Sequence, residues 1–249
     1  VAMGYVHVEI EKSQIPKKEN KPSGDVVGSF RSEAATTIVL ADGIGSGLKA
    51  NIFANMCVSR IKELLTNGFS LRRAFGNIVE TMEAAKRKDL PYSAFSVMRV
   101  LNDGITTILT YEMPQPIFLT KRNSYLLPQR IYNYENGIIG EVNCYLRKDE
   151  GILLTSDGIT QAGLGKGLIR GWGSDGVNEL VNEEILKQSA FDLIPGRVVS
   201  QARLFWKDKL GDDLTALLAY TRRGRIVNII SGPPSDKTKD TQFVKNFME

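Results

Sequence analysis

Two strongly apolar runs that each end in Asp-Gly constrain the fold of this chain more than any other feature. Residues 37–43 read TIVLADG, and residues 151–158 read GILLTSDG. Short apolar runs bounded by turn residues predict buried strands. The chain must therefore bury two strands, each of which places a carboxylate, Asp42 or Asp157, where the strand is predicted to stop.

The order of the other predicted elements favours an α+β fold in one domain, 1–249, with a polar tail from about 231. Sequence patterns predict strands at 5–10, 25–30, 35–41, 93–101, 105–111, 116–120, 143–148, 152–156, 214–221 and 225–230. Helical spacing predicts two helix pairs, at about 48–67 with 71–86 and at about 175–188 with 195–209. Helices so few and so clustered favour antiparallel sheets over alternating βα units. Asn102-Asp103-Gly104 is typical of a hairpin turn.

Composition excludes several classes of function. The chain has 249 residues, of which 42% are apolar, and 32 basic against 28 acidic residues give a net charge of +4. The basic residues form no stripe with interleaved aromatics, so no nucleic-acid partner is expected. Cys57 and Cys144 lie far apart in sequence, which favours a reducing compartment. With neither a membrane span nor a signal peptide in the sequence, a cytoplasmic location is expected.

Four acids at predicted strand boundaries indicate metal-dependent chemistry. Asp25 precedes the first apolar run and Asp212 precedes the last strand, which adds them to Asp42 and Asp157. Carboxylates with almost no His or Cys beside them suit a hard cation such as Mg²⁺ or Mn²⁺. Two such ions that share a carboxylate form a known device for phosphate-ester hydrolysis. Asp-Gly is also a common turn, so the residues alone leave an ordinary structural role open for each pair.

The other candidate motifs give weaker indications of function. The glycine-rich segments 43–47 and 163–167 lack the spacing of dinucleotide loops and P-loops, and the second is expected to be a flexible flap beside a site. The only histidine, His7, stands alone, which argues against zinc hydrolases and Ser-His-Asp chemistry. Trp206 is expected to be a core or interface aromatic. Asp213 is either an acid that supports a ligand or a turn residue.

The motifs together resemble a known family. Asp42-Gly43-x-Gly45-x-Gly47, 156–158 (Ser-Asp-Gly) and 212–215 (Asp-Asp-Leu-Thr) are similar to motifs of the metal-dependent Ser/Thr protein phosphatases (PPM, type 2C). Gly24-Asp25 brings the chain closer to the bacterial branch that resembles stage II sporulation protein E (SpoIIE). The resemblance spans about residues 5–220. It implies a PPM-type β-sandwich of two antiparallel sheets flanked by helix pairs.

The resemblance also implies a catalytic centre with two Mn²⁺ or Mg²⁺ ions. Asp42 would bridge both ions, and the Gly43 carbonyl and Asp25 would bind one of them, while Asp157 and Asp212 would hold the other. Asp42, Asp157 and Asp212 are the residues expected to carry catalysis. A water activated at the ions would attack phosphoserine or phosphothreonine without a phosphoenzyme. No other cofactor is implied.

One departure and two hypotheses remain from the sequence. Eukaryotic members carry an arginine near the N-terminus that binds phosphate, but no Arg precedes Asp25 here, and Lys49 is a candidate to help bind phosphate instead.

The first hypothesis is an active phosphatase in bacterial signalling. It would act on a phosphorylated regulatory protein, such as an anti-anti-sigma-type regulator, and a sensory domain or a dimer partner could accompany it. The second is a catalytically inactive, phosphatase-like scaffold that binds a regulator.

Overall fold

The computed structural model describes residues 6–45, 47–134, 136–207 and 209–222. The strand predicted at 225–230 and the polar tail predicted from about 231 lie outside these ranges. The helices are α1 Leu48–Thr66, α2 Leu71–Lys86, α3 Asp157–Thr160, α4 Gly173–Leu186 and α5 Ile194–Trp206. The strands are β1 His7–Ile15, β2 Asp25–Arg31, β3 Ala35–Gly43, β4 Ser93–Leu101, β5 Ile105–Tyr111, β6 Ile117–Leu119, β7 Ser124–Leu126, β8 Arg130–Tyr134, β9 Gly137–Tyr145, β10 Gly151–Thr155 and β11 Leu214–Arg222.

The strands form two antiparallel sheets. Their orders in the described residues are β1-β11-β10-β6-β7 and β2-β3-β4-β5-β9-β8. The sheets pack face to face over a shared apolar core, to which β3 contributes Ile38 and Leu40 and β10 contributes Ile152 and Leu154. The α+β sandwich predicted from the sequence is confirmed.

The two apolar runs are continuous because both faces of β3 and β10 are covered. Alternate β3 residues, Val39 and Ala41, point away from the other sheet and pack in the core under α1 and α2. In β10, Leu153 also points away from the facing sheet, toward the opposite side of the sandwich, and packs in the core with α4 and α5. A strand buried on both faces has no position for a solvated side chain, so it reads as an unbroken apolar run.

Helix α1 forms where the spacing of apolar residues predicts it, but small side chains face the sheet. Ala50, Ala54 and Cys57 are buried, whereas Leu48 and Met56 are 63% and 58% exposed. Small residues let the backbone of the helix come close to β3. Of the helices in the described ranges, none is both long enough and apolar enough to cross a bilayer.

Several predicted boundaries were wrong. Strand β1 continues to Ile15 through residues expected to be loop, because it pairs with β11 along its whole length. Strand β3 continues through Asp42 to Gly43, which pairs with Ser93, so the first Asp-Gly is part of the ladder and not a turn after it. Strands β7 and β8 and helix α3 were not predicted, because elements this short carry little periodicity.

Candidate active site

Asp25 and Asp42 lie side by side at one end of the sandwich. They are direct partners in the β2–β3 ladder, so the backbone register fixes their proximity. Asp25 is 3% exposed and Asp42 is 6% exposed. The strands therefore hold two carboxylates together in a position that is almost closed to bulk water.

Asp157 and Asp212 reach the same place from the other sheet. Asp157 is the first residue of α3, two residues after the end of β10, and Asp212 lies two residues before β11. Ser156 ties these two ends together, because its backbone N–H donates to the Thr215 carbonyl at 3.0 Å and its hydroxyl accepts from the Thr215 N–H at 3.1 Å. Asp157 lies close enough to Asp42 for its charge to raise the pKa of Asp42, so acids carried by the two sheets meet at one place.

Burial and mutual repulsion raise the pKa values of this cluster. The pKa of Asp42 rises to about 11, first through burial and then through the charges of Asp25 and Asp157. Burial likewise raises the pKa of Asp25 to about 7, against hydrogen bonds from Thr215 and Ser156 that lower it. Burial also raises the pKa of Asp212 to about 6. Buried acids that repel one another must hold protons or a cation at neutral pH.

The cluster has the features expected of a cation site. Two buried oxygens of the cluster, Asp25 Oδ1 and Asp157 Oδ1, have no hydrogen-bond partner. Among the same residues, no Lys, Arg or His forms an ion pair with any of the four acids. Within the described ranges no group of three or more Asp, Glu, His or Cys side chains is placed to hold a single metal ion. Mg²⁺ and Mn²⁺ still fit, because such hard ions take oxygen ligands, and Mg²⁺ commonly keeps several waters.

The glycines of both Asp-Gly pairs are required by close backbone approach. A Cβ on Gly43 would lie 2.0 Å from the carbonyl oxygen of Ala50 in α1, and one on Gly158 would lie 2.1 Å from that of Asp213. Neither glycine has a positive φ, so neither is needed for a turn that other residues could not make. Glycine is required at both positions because a side chain would collide with the neighbouring backbone. Each glycine lets a second element pack directly against the segment that carries an acid.

The structure adds Gln14 and Thr215 to the site. The hydroxyl of Thr215 donates to Asp25 Oδ2 at 2.6 Å, and the amide of Gln14 donates to that hydroxyl at 2.9 Å and to the Asp25 carbonyl at 3.0 Å. These bonds orient Asp25 and leave its other oxygen free. Thr215 was visible in the sequence as part of the Asp-Asp-Leu-Thr motif, but Gln14 gave no signal.

Asp213 anchors the loop between β1 and β2. It is 4% exposed. Its Oδ1 accepts from the backbone N–H of Lys17 at 2.7 Å, and its Oδ2 accepts from that of Gly24 at 2.9 Å. Gly24 in turn accepts a hydrogen bond at 3.1 Å from the N–H of Gly43. Of the two readings left open for Asp213, the structure selects the supporting acid, because both of its oxygens hold backbone beside Asp25 and Gly43.

Trp206, expected to be a core or interface aromatic, belongs to the core and lies behind Asp157 and Asp212. Its indole N–H donates to the Gly158 carbonyl at 2.9 Å. Its ring packs against Gly211, where a Cβ would come within 2.2 Å of it. Lys166, in the predicted flap 163–167, donates to the carbonyl oxygens of Trp206 and Lys209. The Trp206 side chain therefore fixes the residues next to two of the predicted ligands, and Lys166 joins the backbone of the same segment to the flap.

Replacing Trp206 with phenylalanine is expected to raise the Mn²⁺ concentration needed for half-maximal activity by about tenfold or more. An aromatic ring would remain, but it would be smaller than the indole, and the hydrogen bond that fixes Gly158 beside Asp157 would be lost; changes behind a metal ligand typically cost 10–100-fold in affinity. Titration calorimetry with Mn²⁺ gives the affinity directly. Trp172→Phe, at a half-buried tryptophan that contacts Phe205, is the matched control. Equal affinities in the two variants would contradict this role.

Other candidate residues lie elsewhere. His7 begins β1 and pairs with Arg222, whereas the other end of that strand, Ile15, pairs with Leu214 near the acids. The histidine therefore lies at the opposite end of the sheet, where its ring is beside Arg31. Lys49 is exposed in the first turn of α1, and its suggested role with phosphate stays a prediction.

The sequence matches the family model described as stage II sporulation protein E (SpoIIE) over residues 32–222, well over half of the chain. The chain belongs to the SpoIIE family. The resemblance drawn from the Asp-Gly and Asp-Asp-Leu-Thr motifs is thereby confirmed, and the matched residues include Asp42, Asp157 and Asp212. No protein with curated annotation matches the chain in sequence.

Solved structures agree with the family assignment. The chain is similar to the RsbU and RsbW domains of Rv1364c from Mycobacterium tuberculosis, with TM-score 0.67, 18% identity and coverage of 89% of this chain and 62% of that one. It is similar to the PP2C phosphatase domain of Bacillus subtilis SpoIIE with a fragment of its regulatory domain, with TM-score 0.68, 13% identity and coverage of 88% and 63%. A third match is RsbX in complex with magnesium, with TM-score 0.59, 15% identity and coverage of 87% and 99%. The SpoIIE-family chain thus has a PP2C-type fold and spans about three fifths of the first two structures.

Proposed function

We propose that this SpoIIE-family chain is a metal-dependent phosphoprotein phosphatase that hydrolyses phosphoserine and phosphothreonine. The observation that carries the proposal is the meeting of four Asp side chains from both sheets, two of them with buried, unpartnered oxygens. Such a cluster is suited to a compensating cation, and a phosphate ester is the substrate that paired hard cations serve. The RsbX structure, which contains magnesium, supports the choice of ion.

The family resemblance gives each acid a role. Asp42, together with the Gly43 carbonyl and Asp25, would hold one Mn²⁺ or Mg²⁺, Asp157 and Asp212 would hold the other, and Asp42 would be shared by both. When bound, the ions would activate water and neutralise the charge of the phosphate. Thr215 and Gln14 would orient Asp25, while Asp213 and Trp206 would fix the backbone on either side.

The placement of the two cysteines and the histidine favours direct attack by water. Both cysteines are free thiols. Cys57 is buried on the side of α1 that faces the core, and burial raises the pKa of the Cys144 thiol to about 11. His7 lies at the other end of its sheet. None of these groups is placed or ionised as a protein nucleophile would be, so a phosphoenzyme intermediate is not part of the proposal.

The substrate and partners are inferred from relatives. Matched structures are named for RsbU and RsbX, for a bacterial stressosome and for a SpoIIE domain with part of its regulatory domain. We propose that the substrate is a phosphorylated regulatory protein of the anti-anti-sigma type, in the cytoplasm. We also propose that residues 1–249 act as one phosphatase domain, whose activity a sensory domain or dimer partner could set.

Hydrolysis of an aryl phosphate and of a phosphoserine peptide is expected to require added Mn²⁺ or Mg²⁺ and to stop in excess EDTA. An all-oxygen site with retained waters binds such ions modestly, so a chelator should remove them. Phosphate release is measured with and without Mn²⁺, and calorimetry gives the stoichiometry of Mn²⁺ binding. Full activity in EDTA would refute the metal-dependent mechanism. Binding of the phosphopeptide without any turnover would favour the inactive scaffold instead.

A further inference from the structure

A basic pocket of about 230 Å³ lies beside the acid cluster. Four cationic side chains line it: Lys17 from the loop after β1, and Arg203, Lys207 and Lys209 from the end of α5 and the segment that follows. Glu19 is the one acid that lines it in the described residues. The pocket therefore has a strong excess of positive charge in a chain whose net charge is only +4.

The walls of the basic pocket are fixed to the catalytic end of the sandwich. Asp213 accepts the backbone N–H of Lys17 at 2.7 Å, and Asp213 directly follows the predicted ligand Asp212. On the other wall, the Lys209 carbonyl accepts from Lys166 at 2.6 Å. The ammonium group of Lys17 is close enough to Asp212 to lower its pKa. The pocket is therefore adjacent to the site of hydrolysis.

The cations of the pocket are available to an anion. In the part of the chain that the structure describes, none of the four forms an ion pair with a carboxylate. Elsewhere in the molecule cations are paired, as Arg72 is with Glu141 and Lys187 with Glu184. Clefts lined by charge of one sign concentrate ligands of the opposite sign.

We propose that this basic pocket binds acidic side chains that flank the phosphorylated residue of a protein substrate. The inference rests on the proposed phosphatase function and adds a preference in substrate sequence. The phosphate would go to the four-acid cluster with its cations, and a carboxylate a few residues along the same peptide would reach the neighbouring pocket.

The test compares two phosphoserine peptides of equal length, one with Asp and Glu flanks and one with Asn and Gln flanks. The parent is expected to show a higher kcat/KM for the acidic peptide, and the preference should fall as salt is raised. In the double variant Arg203→Glu and Lys209→Glu, the ratio of the two kcat/KM values should fall about tenfold, because partly exposed ion pairs contribute modestly each. The kcat/KM for a lysine-flanked peptide should rise in the same variant.

The matched control carries the same change of charge on the other helix pair. Lys62→Glu with Lys88→Glu alters two exposed cations of α1 and the segment after α2, and it should leave the peptide preference as in the parent. A preference that falls equally in both double variants would show a general effect of net charge and would contradict the proposed role of the pocket. No preference in the parent would also overturn it.

A binding measurement separates this inference from the proposed function. Fluorescence anisotropy reports binding of both labelled peptides to the Asp42→Asn variant, with and without the pocket substitutions. If the parent hydrolyses nothing, the phosphatase proposal fails, yet selective binding of the acidic peptide that is lost in the pocket variant would still support the pocket. Equal binding of both peptides, alongside normal hydrolysis, would reject the pocket alone.

Discussion

Asp42→Asn is expected to reduce metal-dependent hydrolysis by at least about a thousandfold and to raise the melting temperature of the metal-free protein. The carboxylate assigned to both ions would be lost, and metal centres of this type contribute several kcal/mol to the transition state, with about 1.4 kcal/mol for each factor of ten. Asparagine keeps the volume of the side chain, so the core should stay filled. Activity within about tenfold of the parent would show that Asp42 is not the bridging ligand.

The gain in stability should depend on pH in a defined direction. Burial and neighbouring acids raise the pKa of Asp42 from 3.8 to about 11. An acid with a raised pKa in the folded state favours folding while it is protonated and loses that contribution as pH rises above its unfolded value. The difference in melting temperature between the variant and the parent should therefore widen from pH 4 to pH 8.

The measurement needs EDTA throughout and an isosteric control. Asp89→Asn changes an exposed turn residue with φ of 51°, a conformation that asparagine tolerates. This control should have the activity of the parent and a melting temperature that differs little at any pH. For a domain of this size, each kcal/mol of stability corresponds to about 2–4 °C. A constant offset between Asp42→Asn and the parent across the pH range would contradict the raised pKa.

Gly43→Ala and Gly158→Ala are each expected to destabilise the protein by about 1–3 kcal/mol and to weaken metal binding. The new methyl groups would meet the backbone carbonyls of Ala50 and Asp213, at 2.0 and 2.1 Å. Backbone cannot rotate away as a side chain can, so α1 or the segment before β11 must shift. Because those segments also position the acids, we expect a lower melting temperature together with a higher Mn²⁺ requirement.

Gly196→Ala is the control for these glycine substitutions. It lies in α5, where a Cβ would meet no heavy atom within 4 Å. Alanine is a better helix former, so this variant should gain up to about 1 kcal/mol. If Gly43→Ala behaved like Gly196→Ala in thermal melts and in Mn²⁺ titration, the close approach of α1 would be unimportant for the site. Ala50→Gly should not rescue Gly43→Ala, because the obstacle is the carbonyl and not the methyl group.

Local pattern predicted most of the long elements, but it missed several short ones and most of β9, which was expected at 143–148 and spans Gly137–Tyr145. The run 37–43 had to be a buried strand, because both faces of β3 are covered. The hairpin at Asn102–Gly104 formed as predicted, with Gly104 at φ of 96°. The extension of β1 to Ile15 was missed, because it depends on pairing with β11, about two hundred residues away. Pairing partners at such separations leave no mark in local periodicity.

The sequence by itself determined the chemistry available at the site and the family to which the chain belongs. Four acids at strand boundaries, with one histidine in the whole chain, restrict a catalytic centre to oxygen ligands and hard cations. These conclusions need only residue types and their order, because ligand chemistry belongs to the side chain itself.

The tertiary structure alone decided which residues surround those acids. Gln14 contacts Thr215, Asp213 holds Lys17, and Trp206 reaches Gly158 only because β1, β10, β11 and α5 converge at one end of the sandwich. The basic pocket likewise joins Lys17 to Arg203, Lys207 and Lys209, which are separated from it by most of the chain. The physical reason is that hydrogen bonds, steric contacts and local electric fields act over a few ångströms in space, irrespective of separation in sequence.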